Sequence, residues 1–132
     1  MQRTPGMPHE TASAVGTYGE RMAARFLRER GLEILARNWR CDLGEIDIVA
    51  RDGRCLVVCE VKTRRSTTFG SPVEAVDHRK LARLRRLAAS WLALQDEHLD
   101  GLRVDEVRVD VIGVLRPRRG ACRIEHLVGV LS

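Results

Sequence analysis

Gly44-Glu45-Ile46-Asp47-Ile48-Val49-Ala50-Arg51-Asp52-Gly53-Arg54-Cys55-Leu56-Val57-Val58-Cys59-Glu60-Val61-Lys62-Thr63-Arg64 is the stretch that decides the fold. It reads as two strands joined by a tight turn. Asp52-Gly53 between two apolar runs is a strong hairpin signal, because both residues tolerate the positive φ of a two-residue turn. A turn centred there sets Asp47 opposite Val58 and Glu45 opposite Glu60. Side chains alternate faces along a strand, so residues 56, 58, 60 and 62 share one face, and Asp47 belongs to it. Asp47 and Glu60 become diagonal neighbours, with backbones roughly 7–8 Å apart. That separation suits two carboxylates converging on one small cation.

Leu56-Val57-Val58-Cys59 followed by Val61 looks like a central strand covered on both faces. A carboxylate and an ammonium in such a strand are expensive without a use. On Glu60 and Lys62 alone, the simpler account is that the strand leaves the core there. Asp47 on the matching face points to a site instead. Glu45 has the same parity and competes with Asp47, which lies deeper between Ile46 and Ile48.

Upstream, Val15, Tyr18, Met22 and Phe26 recur at helical spacing, so a helix is expected over residues 13–30, closed by Gly31. Glu20 lies outside that stripe, on a flank with Gly16, Ala23, Ala24 and Leu27. It reads either as a surface acid or as one leaning over the sheet edge toward Asp47. A first strand is expected over 32–40, with Ile34, Ala36 and Asn38 on one face and Leu35, Arg37 and Trp39 on the other. Cys41-Asp42-Leu43-Gly44 turns into the second strand.

Downstream, residues 63–70 form a polar, basic loop. Arg64 and Arg65 there suit phosphate contact, against the plainer reading of a solvated connection. Ser71-Pro72-Val73-Glu74 has the pattern of a helix start. That helix is expected to run to about Gln95, burying Val73, Val76, Leu84, Leu87, Trp91 and Leu94. Lys80 falls inside the stripe, so it either snorkels to solvent or reaches over the sheet toward the carboxylates. Arg83 adds to the basic character of this helix. A linker is expected over 96–101, a strand over 102–115 and a last strand or irregular segment over 122–131. Asp110, an acid in an apolar strand, suggests a buried pair with Arg108 or a supporting place behind the site.

The 132 residues suffice for one domain with a core. No apolar run is long enough for a helical membrane span. Residues 1–12 are expected to form a flexible tail without the apolar stretch of a signal peptide. Four cysteines without C-x-x-C spacing read as reduced thiols of a cytoplasmic protein, not as a zinc site. A net charge of +5 suits a polyanionic partner, although 18 acidic residues are interleaved. Two tryptophans, one tyrosine and two phenylalanines leave little for base stacking, so any recognition is expected to be of backbone and shape.

The order of these elements, with Gly19-Glu20, Asn38-Trp39-Arg40, Gly44-Glu45-Ile46-Asp47, Glu60-Val61-Lys62-Thr63-Arg64, Lys80 and Arg108-Val109-Asp110, resembles the PD-(D/E)xK nuclease superfamily. The chain is more closely similar to the small bacterial proteins of the YraN family. The resemblance covers Tyr18 to the last strand. It implies an α/β, restriction-endonuclease-like three-layer core with a mixed central sheet flanked by helices, in the order α-β-β-β-α-β-β, and one nuclease-like domain over 13–132. It implies a nucleic-acid-binding protein with a metal-dependent DNA endonuclease site. Asp47 and Glu60, with the Val61 carbonyl, would bind Mg²⁺ or Mn²⁺, with Glu20 as a further acid. Lys62 would position or activate the attacking water. Arg64, Arg65, Lys80 and Arg83 would contact nucleic acid, with Glu45 and Asp110 as supporting acids. The expected partner is DNA, branched or structured, with no membrane, and the junction-cleaving relatives suggest a homodimer. Ile46 stands where the proline that names the motif would be, a common departure in the superfamily. The alternative is a non-catalytic DNA-binding or interaction module on the same fold.

Overall fold

The computed structural model describes residues 10–66, 77–95 and 103–131. Its elements run α1 (Glu10–Glu29), β1 (Glu33–Cys41), β2 (Gly44–Asp52), β3 (Cys55–Arg64), α2 (His78–Gln95), β4 (Glu106–Leu115) and β5 (Arg123–Leu131). This is the expected order. The strands form one mixed sheet in chain order, antiparallel except for β3 beside β4, which are parallel and joined by the crossover through α2. Parallel neighbours cannot be joined by a hairpin, so this crossover follows from the topology.

Each face of the sheet buries its own cluster. Ile48, Ala50, Val57, Cys59, Ile112 and Val114 pack with Ala23, Ala24 and Leu27 of α1. Val49, Leu56, Val58, Val109 and Val111 pack with Leu81, Leu84, Leu87 and Trp91 of α2, together with Ile46. Helix, sheet and helix make three layers, the restriction-endonuclease-like arrangement. No described helix is long and apolar enough to cross a membrane.

Several local expectations are corrected. The β2–β3 ladder pairs Asp52 with Cys55, Val49 with Val58 and Ile48 with Cys59. The turn residues are therefore Gly53-Arg54, with Gly53 at φ +61° and Arg54 not in the left-handed region. That is the II′ pattern, which puts glycine first and moves the turn centre along by one residue. Asp47 therefore comes opposite Glu60, rather than opposite Val58. The shift by two preserves every face assignment.

In β1 a bulge between Ile34 and Ala36 breaks the alternation. Ile34 packs toward α1, whereas Ala36 joins Leu35 and Trp39 on the α2 side. Asn38 adopts φ +53°, a conformation asparagine tolerates better than most residues. Helix α1 starts at Glu10, so residues 10–12 are helical and not tail. It ends as the sequence predicts: Gly31 N–H donates to Arg28 O at 2.9 Å and Leu32 N–H to Leu27 O at 3.0 Å, around Gly31 at φ +89°.

Asp77 caps α2, its Oδ1 accepting from Arg79 N–H at 2.8 Å. The helix start expected at Ser71, with Ser71 to Val76, lies outside the described residues, as does the linker expected over 96–101. Leu94 is exposed and Leu81 takes a place in the buried stripe. Strand β4 begins at Glu106 rather than at residue 102.

The contact face of α1 also differs from the expected stripe. Ala23, Ala24 and Leu27 are fully buried, while Tyr18, Met22 and Phe26 pack around them. The reason is Gly19: a Cβ there would lie 1.8 Å from Thr63 Oγ1 and 3.0 Å from Thr63 Cβ. The bare glycine lets the helix backbone ride directly on β3. Gly19→Ala is expected to destabilise the fold by about 1–2 kcal/mol in urea titrations, the overlap outweighing the ~1 kcal/mol of helix propensity that alanine adds. Thr63→Ala should restore part of the loss. A Gly19→Ala protein more stable than wild type would show that the contact relaxes freely.

Candidate active site

The end of the β2–β3 ladder creates the site. Regular pairing stops at Ile48 and Cys59. Beyond it the Asp47 side chain replaces the strand partner: Val61 N–H donates to Asp47 Oδ2 at 2.8 Å. Asp47 is thus pinned over β3, beside Glu60. Glu60 is nearly fully buried, 3% exposed. A buried carboxylate needs compensation, and two ammonium groups supply it. Lys80 Nζ lies 2.5 Å and Lys62 Nζ 3.3 Å from the same Glu60 Oε2. Lys80 thus reaches over the sheet, one of the two readings its place in the α2 stripe allows. Burial tends to lower the Lys80 pKa, but its hydrogen bond and charge pairing with Glu60 hold it above the ordinary lysine value.

Among the described residues no cation pairs directly with Asp47. Burial pushes its pKa from 3.8 up to about 7, against the Val61 hydrogen bond, and the charges of Glu60, Glu20 and Glu45 add to the rise. A cavity of about 100 Å³ opens here, lined by Gly44, Glu45, Asp47, Glu60, Lys80, Arg83, Leu84 and Leu87. The structure brings together Asp47, Glu60, Lys62, Lys80, Arg83 and Glu45, the last also paired with Arg40 at 3.2 Å. Glu20 acts on Asp47 through its charge but does not line the cavity.

Arg64 and Arg65 are exposed beyond Lys62. The Arg64 guanidinium turns back onto Thr63 O at 3.2 Å. Asp110 lies elsewhere. It pairs across β3–β4 with Cys59, on the α1 side, and binds Arg108 and His126. It does not stand behind the carboxylates, because strand alternation sends residues 59 and 60 to opposite faces. His126 carried no signal in the sequence, being a lone histidine of the last strand.

The donor set fits a hard divalent cation. Asp47 is short of positive charge where Glu60, Glu45 and Glu20 crowd it, and a cation between Asp47 and Glu60 would relieve this. Among the described residues no three of His, Cys, Asp and Glu converge into a closed cage. An open two-carboxylate site is what Mg²⁺ uses, with water and substrate oxygens completing its octahedron. The four cysteines are free.

A three-layer restriction-endonuclease-like core, with two carboxylates and two lysines meeting where the central hairpin opens, defines the class of protein. The chain belongs to the uncharacterised protein family UPF0102, the family of the YraN proteins, whose model matches residues 19–114. It is 61% identical to a UPF0102 protein of Beutenbergia cavernae over 89% of this chain and 95% of the relative. To a UPF0102 protein of Kineococcus radiotolerans it is 56% identical, over 89% of this chain and 93% of that one.

Proposed function

We propose that this protein is a metal-dependent DNA endonuclease that hydrolyses phosphodiesters, acting in the cytoplasm on branched or structured DNA as a homodimer. The observation that carries the reading is the meeting of Asp47, Glu60 and Lys80 around one cavity, with Lys62 paired to Glu60 beside it. Asp47 and Glu60, helped by the Val61 carbonyl, would hold Mg²⁺ or Mn²⁺, with Glu20 as an outlying acid. The bound ion would polarise the phosphoryl oxygen and acidify a coordinated water.

The protein's own groups do the rest. Lys62, 23% exposed at its side chain, would hold the attacking water and the charge that develops on phosphorus. Lys80 pairs with the buried Glu60 and could turn to a substrate phosphate with a cation held at the carboxylates. Arg83, Arg64 and Arg65 would grip the backbone, giving affinity without base readout.

The test is cleavage of labelled linear duplex, single strand, flap and four-way junction with Mn²⁺ or EDTA, by wild type and Asp47→Ala. Cleavage requiring both metal and Asp47 is expected. Cleavage unchanged in Asp47→Ala would overturn the site. No cleavage, with DNA binding that persists in EDTA, would leave a binding module on the same fold.

A further inference from the structure

The arginines of this chain are divided in a way the candidate site does not use. At the hairpin end of the sheet they are paired with acids: Arg51 with Glu33 at 2.6 Å, Arg54 with Asp105 at 3.3 Å, Arg108 with Asp110 at 2.9 Å and more distantly with Asp52. At the opposite end, a cavity of about 450 Å³ is lined by Arg65, Ser66, Leu115, Pro117, Arg119, Gly120, Ala121 and Arg123. None of these is acidic. Among the described residues no carboxylate pairs with Arg65, Arg119 or Arg123, and all three are exposed.

The cleft opens on the same face of the sheet as the carboxylates. Leu115 pairs with Arg123, and both are out of phase with Val114 and Ile124, which pack toward α1. Glu60 is likewise out of phase with Cys59 and Val61 on that side. Glu60 and Lys62 share that face of β3, and Arg65, just past the end of the strand, lines the cleft. At about 3.3 Å per residue, Arg65 lies on the order of 15 Å from Glu60. Along one DNA strand, with a phosphate about every 3.4 Å of axis, that is four to five nucleotides.

We propose that the cleft of Arg65, Arg119 and Arg123 is a second phosphate-binding site, which holds the backbone of duplex DNA four to five nucleotides from the bond positioned at Asp47 and Glu60. Unpaired guanidiniums around a concave, acid-free surface are suited to phosphate oxygens, which they can bind two at a time. The proposal rests on the nuclease reading for its partner. It adds where the duplex runs and how much of it must be present. Duplexes that end within about three base pairs of the bond on the cleft side should bind more weakly than those extending six or more.

The test is fluorescence anisotropy with a labelled 20-base-pair duplex across a salt series, for wild type, Arg119→Ala/Arg123→Ala and the hairpin-end control Arg54→Ala. The double variant should bind about tenfold or more weakly at 0.1 M salt. The slope of log K against log salt should be shallower by roughly 2, about one per arginine. Arg54→Ala should bind as wild type. Wild type and the two arginine variants should melt alike, since the substituted arginines are exposed. Wild-type affinity and slope in the double variant would overturn the cleft while leaving metal-dependent cleavage, the test of the nuclease reading, intact. Binding that is absent even in wild type would overturn both.

Discussion

Asp47→Asn is expected to reduce metal-dependent cleavage by at least about a thousandfold and, at pH 8 without metal, to make the protein more stable than wild type. The two effects share one cause. The Asp47 carboxyl is moved from 3.8 to about 7 by burial and by the acids around it. Between about pH 4 and 7 the folded protein binds a proton at Asp47 that the unfolded chain does not. Stability therefore falls as pH rises through that window and levels off above it. The wild-type fold thus carries an unfavourable charge at pH 8, worth at most about 4 kcal/mol and less in practice, because Asp47 is only partly buried.

Asparagine keeps an oxygen for Val61 N–H and removes that charge. Thermal melts should place the variant above wild type at pH 8 and level with it at pH 4. For the same reason 1 mM Mn²⁺ should raise the wild-type melting temperature more at pH 8 than at pH 6, since the ion competes with the proton, and should not raise that of Asp47→Asn. A variant that melts below wild type at pH 8 would show that the charge of Asp47 is already compensated without metal. On the nuclease reading, the arrangement exchanges stability for a reactive site.

Much of this site was legible in the sequence because parity along a strand is insensitive to the errors sequence reading makes. The hairpin register was off by two residues, yet Asp47, Glu60 and Lys62 stayed on one face, since a slip of two returns every side chain to its side. Lys80 was legible for a similar reason: a charge inside a helical stripe that faces the sheet has few places to go. What failed was whatever depended on contact between elements. Gly53 moved the turn centre through its φ preference. Gly19 carried α1 onto Thr63 and so rotated the helix's buried face away from its most apolar stripe. Nothing local in the sequence says that Arg119 and Arg123 meet Arg65. His126 and Asp110 are sixteen positions apart, joined only by the β4–β5 pairing.

That last pair sets up the largest expected loss of stability. Asp110→Ala should cost about 3–5 kcal/mol, the range for breaking a buried charge pair by removing one partner. Asp110 is wholly buried. Its Oδ1 accepts from Arg108 Nε at 2.9 Å and from Gly129 N–H at 2.9 Å. Its Oδ2 accepts from Arg108 Nη2 at 3.0 Å and lies 2.7 Å from His126 Nε2.

Burial alone would raise this carboxyl's pKa; the bonds to His126, Arg108 and Gly129 outweigh it and hold the pKa below the usual value. The stability it contributes is complete at neutral pH and is lost as pH falls through that lowered value. Gly129, at φ +63°, marks the β5 side of the register shift between Val109 and Val111, so Asp110 fastens the irregular part of an edge strand. Without it the Arg108 guanidinium, the His126 ring packed edge-on against Phe26 and the Gly129 N–H all lose their partner.

The melting temperature at pH 7 should drop by roughly 10 °C or more, with hydrogen exchange fastest in β5, and the gap to wild type should narrow toward pH 3. The part of the variant that stays folded should cleave DNA as wild type does, since Asp110 faces α1 and not the carboxylates. A variant that melts normally but fails to cleave would return Asp110 to the site as a supporting acid. Melting within 2 °C of wild type at pH 7 would mean that β5 is held by its ladder alone.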